Sequence, residues 1–256
     1  MALVELDFRS QALGYHEEAV VILPDAPIPE NGYPVLWLFH GANQDCTEWL
    51  RQTSIERYAN KRGLAVVCPT LSNGHGMDMT HGMKYYTMLS QELPAVMHFL
   101  FPCFSERRED NFTAGASMGG YVAFKLALNH PESYCAAGAF AGALDIVDIN
   151  RHFGEDAPRN NTFRLAFGGA EAIEGTESDI IDLAAKLHEK GALSPRLWSV
   201  VGEQDFGAGQ VKGAVAKFKA RGVEIDDYYD MGVHSFDLWD AYVERFFDWL
   251  KLPKLR

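Results

Sequence analysis

Residues 111–133 read NFTAGASMGGYVAFKLALNHPES and set one serine, Ser117, among three glycines. The residues before Ser117 are mostly small or apolar, as in a buried strand, and those after it repeat apolar side chains at helical spacing. A glycine-rich corner between a strand and a helix can carry a serine by chance. The rest of the sequence therefore has to show whether this serine is positioned for chemistry.

The glycines around Ser117 point to a strained turn. A hydroxyl presented on a sharp turn needs small neighbours, which Gly115 and Gly119 supply, while Gly120 lets the helix pack closely. G-x-S-x-G between a strand and a helix is the nucleophile-elbow pattern. A helix that starts just after the serine also directs backbone N–H groups at a developing oxyanion. We therefore interpret Ser117 as a candidate nucleophile.

Short apolar runs alternate with helical patterns along the chain. Strands are predicted at 17–24, 35–41, 64–69, 112–117, 134–142, 196–202 and 224–232. This alternation is typical of an α/β fold with a mainly parallel central sheet, here of about eight strands, and helices on both faces. We expect one domain over residues 1–256, with an insertion or cap at 143–176, where periodicity is weak.

Two helix signals are specific enough to test. The helix that begins near Lys84 contains Pro94, which should kink or restart it. The helical pattern SDIIDLAAKLHEKG begins with Ser178, which we predict to be its N-cap.

A nucleophilic serine needs a base to take its proton and an acid to hold that base. Asp205 follows the strand RLWSVVG and His234 follows EIDDYYDMG, so both stand beyond the carboxyl ends of predicted strands, where sites of α/β sheets form. The order serine, acid, histidine is that of α/β hydrolases. Glu203, Asp145 and Asp148 are rival acids, and Asp205 is preferred because it lies deeper in its turn.

A tetrahedral intermediate needs two backbone N–H donors for its oxyanion. One should come from Met118, the residue after the candidate nucleophile. The other should come from Gly41-Ala42, after the strand VLWLFHG. We interpret His40 as a brace for this loop rather than as the base, because a histidine before glycine at a buried strand end more often makes structural hydrogen bonds.

Composition limits the remaining function classes. The chain has 256 residues and a net charge of −12, which argues against nucleic acid or an anionic membrane as a partner. No apolar run approaches the ~20 residues of a membrane span. Four scattered cysteines and an N-terminus without an apolar signal segment predict a reduced, cytoplasmic protein. The sequence lacks H-E-x-x-H, G-x-x-x-x-G-K-[ST] and G-x-G-x-x-G, so we expect neither metal nor cofactor.

Several segments together resemble one family. They are VLWLFHGANQDCTEWLRQTSIERYANKRGLAVVCPTLSNG, YYTMLSQELP, FTAGASMGGYVAFKLAL, GALD and WSVVGEQDF. The chain resembles the esterase D family of α/β hydrolases, and within it the bacterial tributyrin-type (acetyl) esterases. The likeness covers nearly the whole chain and is weakest from Ala143 to about Leu193. This combination of motifs is much more specific than G-x-S-x-G alone.

The resemblance implies a serine carboxylesterase that cleaves short-chain acyl (acetyl-type) esters, including acetylated sugars in some members, through an acyl-enzyme. It names Ser117 as nucleophile, Asp205 as acid and His234 as base. It also names Ala42 and Met118 as oxyanion donors. Family members often assemble as homo-oligomers, a property that no feature of this sequence tests.

Other functions stay open on the sequence. S-formylglutathione hydrolases of the family usually carry histidine where this chain has Tyr121, which puts glutathione thioesters in doubt but leaves a thioesterase or acyltransferase as the alternative. A non-catalytic binding protein would show a damaged triad, whereas all three members are present. The candidate substrate-binding residues are Gly41, Trp49, His75 and His81.

Overall fold

The strand before Ser117 lies in the interior of an eight-stranded sheet. The structure, a computed structural model, describes residues 1–152 and 158–255, with the backbone alone for 158–161. The strands are β1 (Ala2–Arg9), β2 (His16–Leu23), β3 (Val35–Phe39), β4 (Ala65–Pro69), β5 (Asn111–Ala116), β6 (Ala136–Phe140), β7 (Arg196–Gly202) and β8 (Asp226–Asp230). Their order across the sheet is β1-β2-β4-β3-β5-β6-β7-β8. The β1–β2 and β2–β4 pairs are antiparallel and the other five are parallel, which confirms the predicted mainly parallel sheet.

Burial explains why these segments became interior strands. β3, β4, β5 and β6 are buried along their whole lengths, so both faces of the sheet are covered there. Continuous apolar runs such as VLWLF suit that environment. β8, which reads DDYYD, lies at the edge and is largely exposed or half-buried. The hydrophobic pattern thus places β5 in the interior of the sheet, with Ser117 directly beyond its carboxyl end.

Ten helices connect the strands of the described chain. They are α1 (Glu48–Gln52), α2 (Ile55–Asn60), α3 (Tyr85–Thr87), α4 (Leu93–Leu100), α5 (Met118–Asn129), α6 (Ile146–His152), α7 (Pro158–Phe167), α8 (Ile180–Glu189), α9 (Ala208–Ala220) and α10 (Phe236–Trp249). A π-helical turn at Met88–Glu92 joins α3 to α4, and Pro94 occupies the first turn of α4. Helical backbone therefore runs from Tyr85 to Leu100 without the predicted restart, and its hydrogen bonding changes to that of a π-helix just before Pro94, whose nitrogen cannot donate.

The last helix anchors the loop that carries His234. Val243, Phe246 and Phe247 of α10 are buried. The Phe246 ring centroid lies 5.1 Å from that of Trp198 in β7 and 5.9 Å from that of Phe140 in β6. Aromatic pairs at these distances add to the burial of α10 against the sheet.

The structure corrects one expectation about helix ends and adds two elements. The N-cap of α8 is Asp179, whose carboxylate accepts the N–H of Asp182, and not Ser178, which is buried one residue earlier. β1 and α9 were not predicted. Within the described ranges, no helix has the length and apolarity needed to cross a membrane.

The segment at 143–176 contains α6, α7 and a short 3₁₀ turn at Ala170–Ala172. Part of the predicted insertion, residues 153–157, lies outside the described residues. Ile149 of α6 and Thr162 and Phe163 of α7 lie beside the cavity described below. Its role as a cap stays a prediction.

Candidate active site

Ser117 sits between β5 and α5 in an uncommon backbone conformation. Its φ is 52° and its ψ is −113°, a strained combination that is expected to be unfavourable by about 1–3 kcal/mol. Three hydrogen bonds hold it. The Ser117 N–H donates to the carbonyl of Phe140 at 2.8 Å, and the Ser117 carbonyl accepts from Gly120 at 3.1 Å and Ala143 at 3.0 Å. Bonds to neighbouring strands and loops therefore enforce the strained turn.

Two glycines of the motif are required by the close approach of backbone. A Cβ on Gly115 would lie 2.4 Å from the Gly119 backbone. A Cβ on Gly119 would lie 2.4 Å from the carbonyl oxygen of Phe39 in β3. Any side chain at either position would have to displace a central strand or the start of α5, so only glycine allows this turn.

Asp205 and His234 meet beyond the carboxyl ends of β7 and β8. The Oδ2 atom of Asp205 lies 2.8 Å from Nδ1 of His234. The Asp205 side chain is fully buried, whereas 20% of the His234 side chain is exposed. The second oxygen, Oδ1, accepts the N–H of Gly207 at 2.7 Å. Because both carboxylate oxygens are engaged, the imidazole is held in one orientation with Nε2 left for another partner.

The rival acids are engaged elsewhere. Glu203 forms an exposed ion pair with Lys212 at 2.6 Å. Asp145 forms an ion pair with Lys217, and Asp148 lies 3.4 Å from Nδ1 of His152. Among the described residues, Asp205 is the carboxylate that contacts the His234 imidazole. No group of three or more histidine, cysteine or carboxylate side chains in these ranges is arranged to hold a metal ion.

A cavity of about 460 Å³ is lined by both Ser117 and His234. Its volume lies within the range of pockets that hold small organic ligands. In the part of the chain that the structure describes, neither Ser117 Oγ nor His234 Nε2 makes a hydrogen bond. In enzymes without substrate, catalytic hydrogen bonds are often long and tighten only when substrate binds. A substrate bound in this cavity can therefore reach both the hydroxyl and the imidazole.

Two backbone N–H groups at the cavity are available to an oxyanion. The N–H of Met118 opens α5 and, like that of Ala42, has no partner among the described residues, while both residues line the cavity. The N–H of Gly41 is occupied, because it donates to Oε1 of Gln44 at 2.6 Å. Gly41 therefore lines the cavity but has no free N–H to offer an oxyanion.

His40 braces the loop that presents Ala42. It is buried, its Nε2 accepts the N–H of Leu71 at 2.8 Å, and its Nδ1 therefore carries the proton that it donates to the Gly41 carbonyl at 2.6 Å. Burial also holds the pKa of His40 below its usual value. The imidazole is thus a neutral structural link between two loops, as the sequence led us to expect.

His75 lies in the cavity wall on a strained loop. Its φ is 52°, it is 5% exposed, and burial lowers its pKa to about 4, so it is neutral at pH 7. Its ring centroid lies 4.8 Å from that of Phe163 and 5.2 Å from that of Phe167. The loop therefore brings a buried polar ring into the wall of the cavity that Ser117 also lines.

A buried lysine of α5 ties down the His75 loop. Lys125 is 2% exposed, and its Nζ donates to the carbonyl of Gly76 at 3.2 Å and to Sδ of Met77 at 2.9 Å. The ammonium also lies 4.2 Å from the centre of the Tyr86 ring. No carboxylate of the described residues pairs with it directly, and burial lowers its pKa from 10.5 to about 8.

This pKa predicts how stability depends on pH. Below pH 8 Lys125 is charged in both the folded and the unfolded states, so the unfavourable burial of its charge is fully present. Between pH 8 and 10.5 the folded state loses the proton first, so stability should rise with pH. We expect the free energy of unfolding of wild type, relative to Lys125→Met, to increase by about 1 kcal/mol from pH 7 to pH 9. Urea unfolding of both proteins at both pH values measures this difference, and an unchanged difference would contradict the prediction.

Two predicted substrate residues lie outside the cavity wall. Trp49 is buried, donates from Nε1 to the carbonyl of Phe39 at 2.9 Å, and packs against Phe140 and Phe236. His81 lines a separate cavity of about 340 Å³. Trp49 is thus part of the packing behind the site, and His81 is at another surface.

The cavity wall includes residues that sequence analysis did not single out. They are Asn43, Gln44, Asn73, Phe163, Phe206, Gln210, Phe236 and Trp239. A weak signal was available for Phe206, which follows Asp205 directly. The others come from loops and helices whose meeting point depends on the packed fold.

Comparisons with known proteins identify the family of the chain. The family model named Esterase matches residues 10–250. The acetyl esterase of Caldicellulosiruptor saccharolyticus is 25% identical over 98% of both chains. Two Staphylococcus aureus structures are each 28% identical, covering 97% of this chain and 98% of theirs: the substrate-bound fluorophosphonate-binding serine hydrolase F, with a TM-score of 0.87, and an S-formylglutathione hydrolase, with a TM-score of 0.85. The chain belongs to the esterase family, and it is a carboxylic ester hydrolase of the serine type with the α/β-hydrolase fold.

Proposed function

We propose that this chain hydrolyses short-chain acyl esters through an acyl-enzyme on Ser117, with His234 as base and Asp205 as the acid that holds it. One observation carries the proposal. Ser117 on its strained turn and His234, whose Nδ1 lies 2.8 Å from the buried Asp205 carboxylate, line the same cavity. The acetyl esterase relative, which covers nearly the whole chain, supports a small acyl group.

Acylation begins when His234 Nε2 takes the proton of Ser117 while Oγ bonds to the acyl carbon of the ester. The carbonyl oxygen becomes an oxyanion that accepts the N–H groups of Ala42 and Met118. Asp205 stabilises the imidazolium that forms and keeps Nδ1 protonated. These groups are held in place by the fold before substrate arrives, so they need little reorganisation during the reaction.

The tetrahedral intermediate then collapses. The bond from the acyl carbon to the alcohol oxygen breaks, and the imidazolium of His234 gives its proton to that oxygen. A water molecule next loses a proton to His234 as its oxygen attacks the acyl carbon of the ester on Ser117. Collapse of this second intermediate returns the proton to Ser117 Oγ and releases the acid. The overall reaction is ester plus water to acid plus alcohol.

The test uses purified wild-type protein. We expect it to hydrolyse p-nitrophenyl acetate and to react covalently with a fluorophosphonate probe at Ser117, as located by peptide mass spectrometry. Activity should fall from the acetate to the butyrate and octanoate esters if this chain shares the small acyl group of the acetyl esterase relative. No turnover together with no labelling would refute the proposal, and labelling of a different residue would refute the assignment of Ser117.

A thioesterase of the same fold is the second candidate. The S-formylglutathione hydrolase structure favours it, because it matches this chain as completely as the serine hydrolase does. Tyr121, where the chain departs from that group, is fully buried and donates to the carbonyl of Ser178 at 2.9 Å. Tyr121 therefore lies away from the cavity wall. Comparison of kcat/KM for an S-acyl thioester with that for the matched oxygen ester decides between the two candidates.

The proposal has four further parts. A cytoplasmic location is consistent with the four free thiols of the structure. An acetylated sugar as the natural substrate and assembly into a homo-oligomer follow from the family resemblance and stay predictions. The segment at 143–176, which contributes Ile149, Thr162 and Phe163 to the cavity wall, is proposed to select the acyl group.

A further inference from the structure

The imidazole of His234 is flanked by two aromatic rings. Trp239 lies edge-on, with its ring centroid at 5.1 Å and an interplanar angle of 87°, and it is 3% exposed. Phe206 lies at 4.5 Å with an angle of 44°, but it is 78% exposed. Trp239 is thus part of the buried core, whereas most of the Phe206 side chain is exposed to solvent.

A single exposed phenylalanine is ordinary on a protein surface and needs no explanation by itself. The position of Phe206 is what distinguishes it, because the same ring contacts the candidate base and lines the cavity. Met231 and Val233, on the loop that carries His234, are also largely exposed. Phe206 therefore places an exposed apolar ring at the cavity wall beside the imidazole.

The loop that carries Phe206 is firmly held. The N–H of Asp205 donates to the Gly202 carbonyl at 3.1 Å, and the Asp205 carbonyl accepts from Ala208 at 3.0 Å. Gln204 donates to the Gly232 carbonyl at 3.0 Å and accepts the Gly232 N–H on its side chain at 2.6 Å. These bonds fix the backbone beside Phe206, so its Cα is held close to the loop that carries His234.

The chemistry identifies which half of the ester meets this ring. His234 protonates the departing alcohol oxygen, so the alcohol half has to lie next to the imidazole. Phe206 stands against that imidazole on its solvent side. The exposed face of the Phe206 ring would therefore contact the alcohol half of the ester rather than the acyl group.

We propose that Phe206 is a specificity-determining residue that stacks on the alcohol half of the substrate, and that the enzyme prefers acyl esters of alcohols that carry an aromatic ring. This inference rests on the proposed esterase function and extends it to the leaving group. Offset or edge-on aromatic pairs with centroids 4.5–7 Å apart are more favourable than burial of the same apolar area alone. An aryl ring at the mouth can adopt such a geometry on the open side of Phe206.

The test compares three acetate esters whose alcohols leave with similar ease: benzyl, cyclohexylmethyl and ethyl acetate. Phe206→Leu keeps an apolar cover over His234 but removes the aromatic ring. We expect this variant to lose about tenfold in kcat/KM for benzyl acetate and less than about twofold for the other two esters. Phe99→Leu is the matched control, because Phe99 lies on α4 away from the cavity wall and is 84% exposed.

The outcomes separate the inference from the proposed function. If Phe206→Leu lowers kcat/KM for all three esters by the same factor, the ring acts on His234 alone and the inference is wrong. It is equally wrong if no ratio between esters changes. If the wild-type protein cleaves none of the esters, the proposed function fails and this inference falls with it. A selective loss for benzyl acetate, absent from Phe99→Leu, supports it.

Discussion

Ser117→Ala is expected to lower kcat for p-nitrophenyl acetate by a factor on the order of 10⁴ to 10⁶. Alanine has no hydroxyl, so no acyl-enzyme can form, and His234 is left without the proton that it would accept. The oxyanion donors and the cavity remain, which is why the residual rate should still exceed that of the reaction in water. The measurement is the steady-state rate beside a wild-type sample purified in the same way.

This substitution should leave the fold intact. Both serine and alanine carry a Cβ, so the strain at a φ of 52° is the same in both proteins. The Ser117 hydroxyl makes no hydrogen bond to any residue in the described ranges, so its removal strands no buried partner. We expect a thermal midpoint close to that of wild type. A variant that stays folded and keeps more than a tenth of the activity would show that another residue is the nucleophile.

Much of the fold is predictable because its signals are local. Interior strands of a parallel sheet are apolar on both faces, so segments such as VLWLF are recognisable without knowledge of their neighbours. The turn at Ser117 is also a local property, because glycines on both sides are needed wherever the backbone passes this closely. The loops after β7 and β8 then follow from the rule that parallel strands end at one edge of the sheet.

The elements that were missed had weaker or contradictory signals. β1 alternates apolar and polar residues, but most of it is exposed, so little burial marks it out. α9 buries Val211, Ala214, Val215 and Phe218 at helical spacing, yet Gly209 and Gly213 lower its helix propensity. At α8 either Ser178 or Asp179 could cap the helix, and only the geometry of the first turn separates them.

The cavity wall was less predictable than the contact between Asp205 and His234, because it depends on packing between distant segments. Trp49 is near Gly41 in sequence, but its indole turns into the core towards Phe140. His75 and His81 lie in the same loop, yet His75 lines the cavity of Ser117 and His81 lines the separate cavity of about 340 Å³. A lysine in a helix is ordinarily exposed, whereas Lys125 is buried because α5 is covered along nearly its whole length.

Asp205→Asn should lower kcat by a factor of about 10³ to 10⁴, while Glu203→Gln should change it by less than about twofold. The two substitutions make the same chemical change two positions apart in one loop, so they test which carboxylate supports His234. An asparagine at position 205 can offer N–H groups to Nδ1, which would drive the proton onto Nε2. The imidazole could then no longer accept the proton of Ser117.

Glu203 serves as the control because its carboxylate is bound elsewhere. It forms an exposed ion pair with Lys212, whose loss should affect stability by no more than about 1 kcal/mol. The measurement is kcat for p-nitrophenyl acetate, with fluorophosphonate labelling of Ser117 as a second readout. If Glu203→Gln were the variant that lost activity, the acid would have to reach His234 by a rearrangement of this loop. Such a rearrangement would break the 2.8 Å contact between Asp205 and His234 and the bond from Gly207 to the same carboxylate. The proposed active site therefore depends on Asp205, and this pair of variants can refute it.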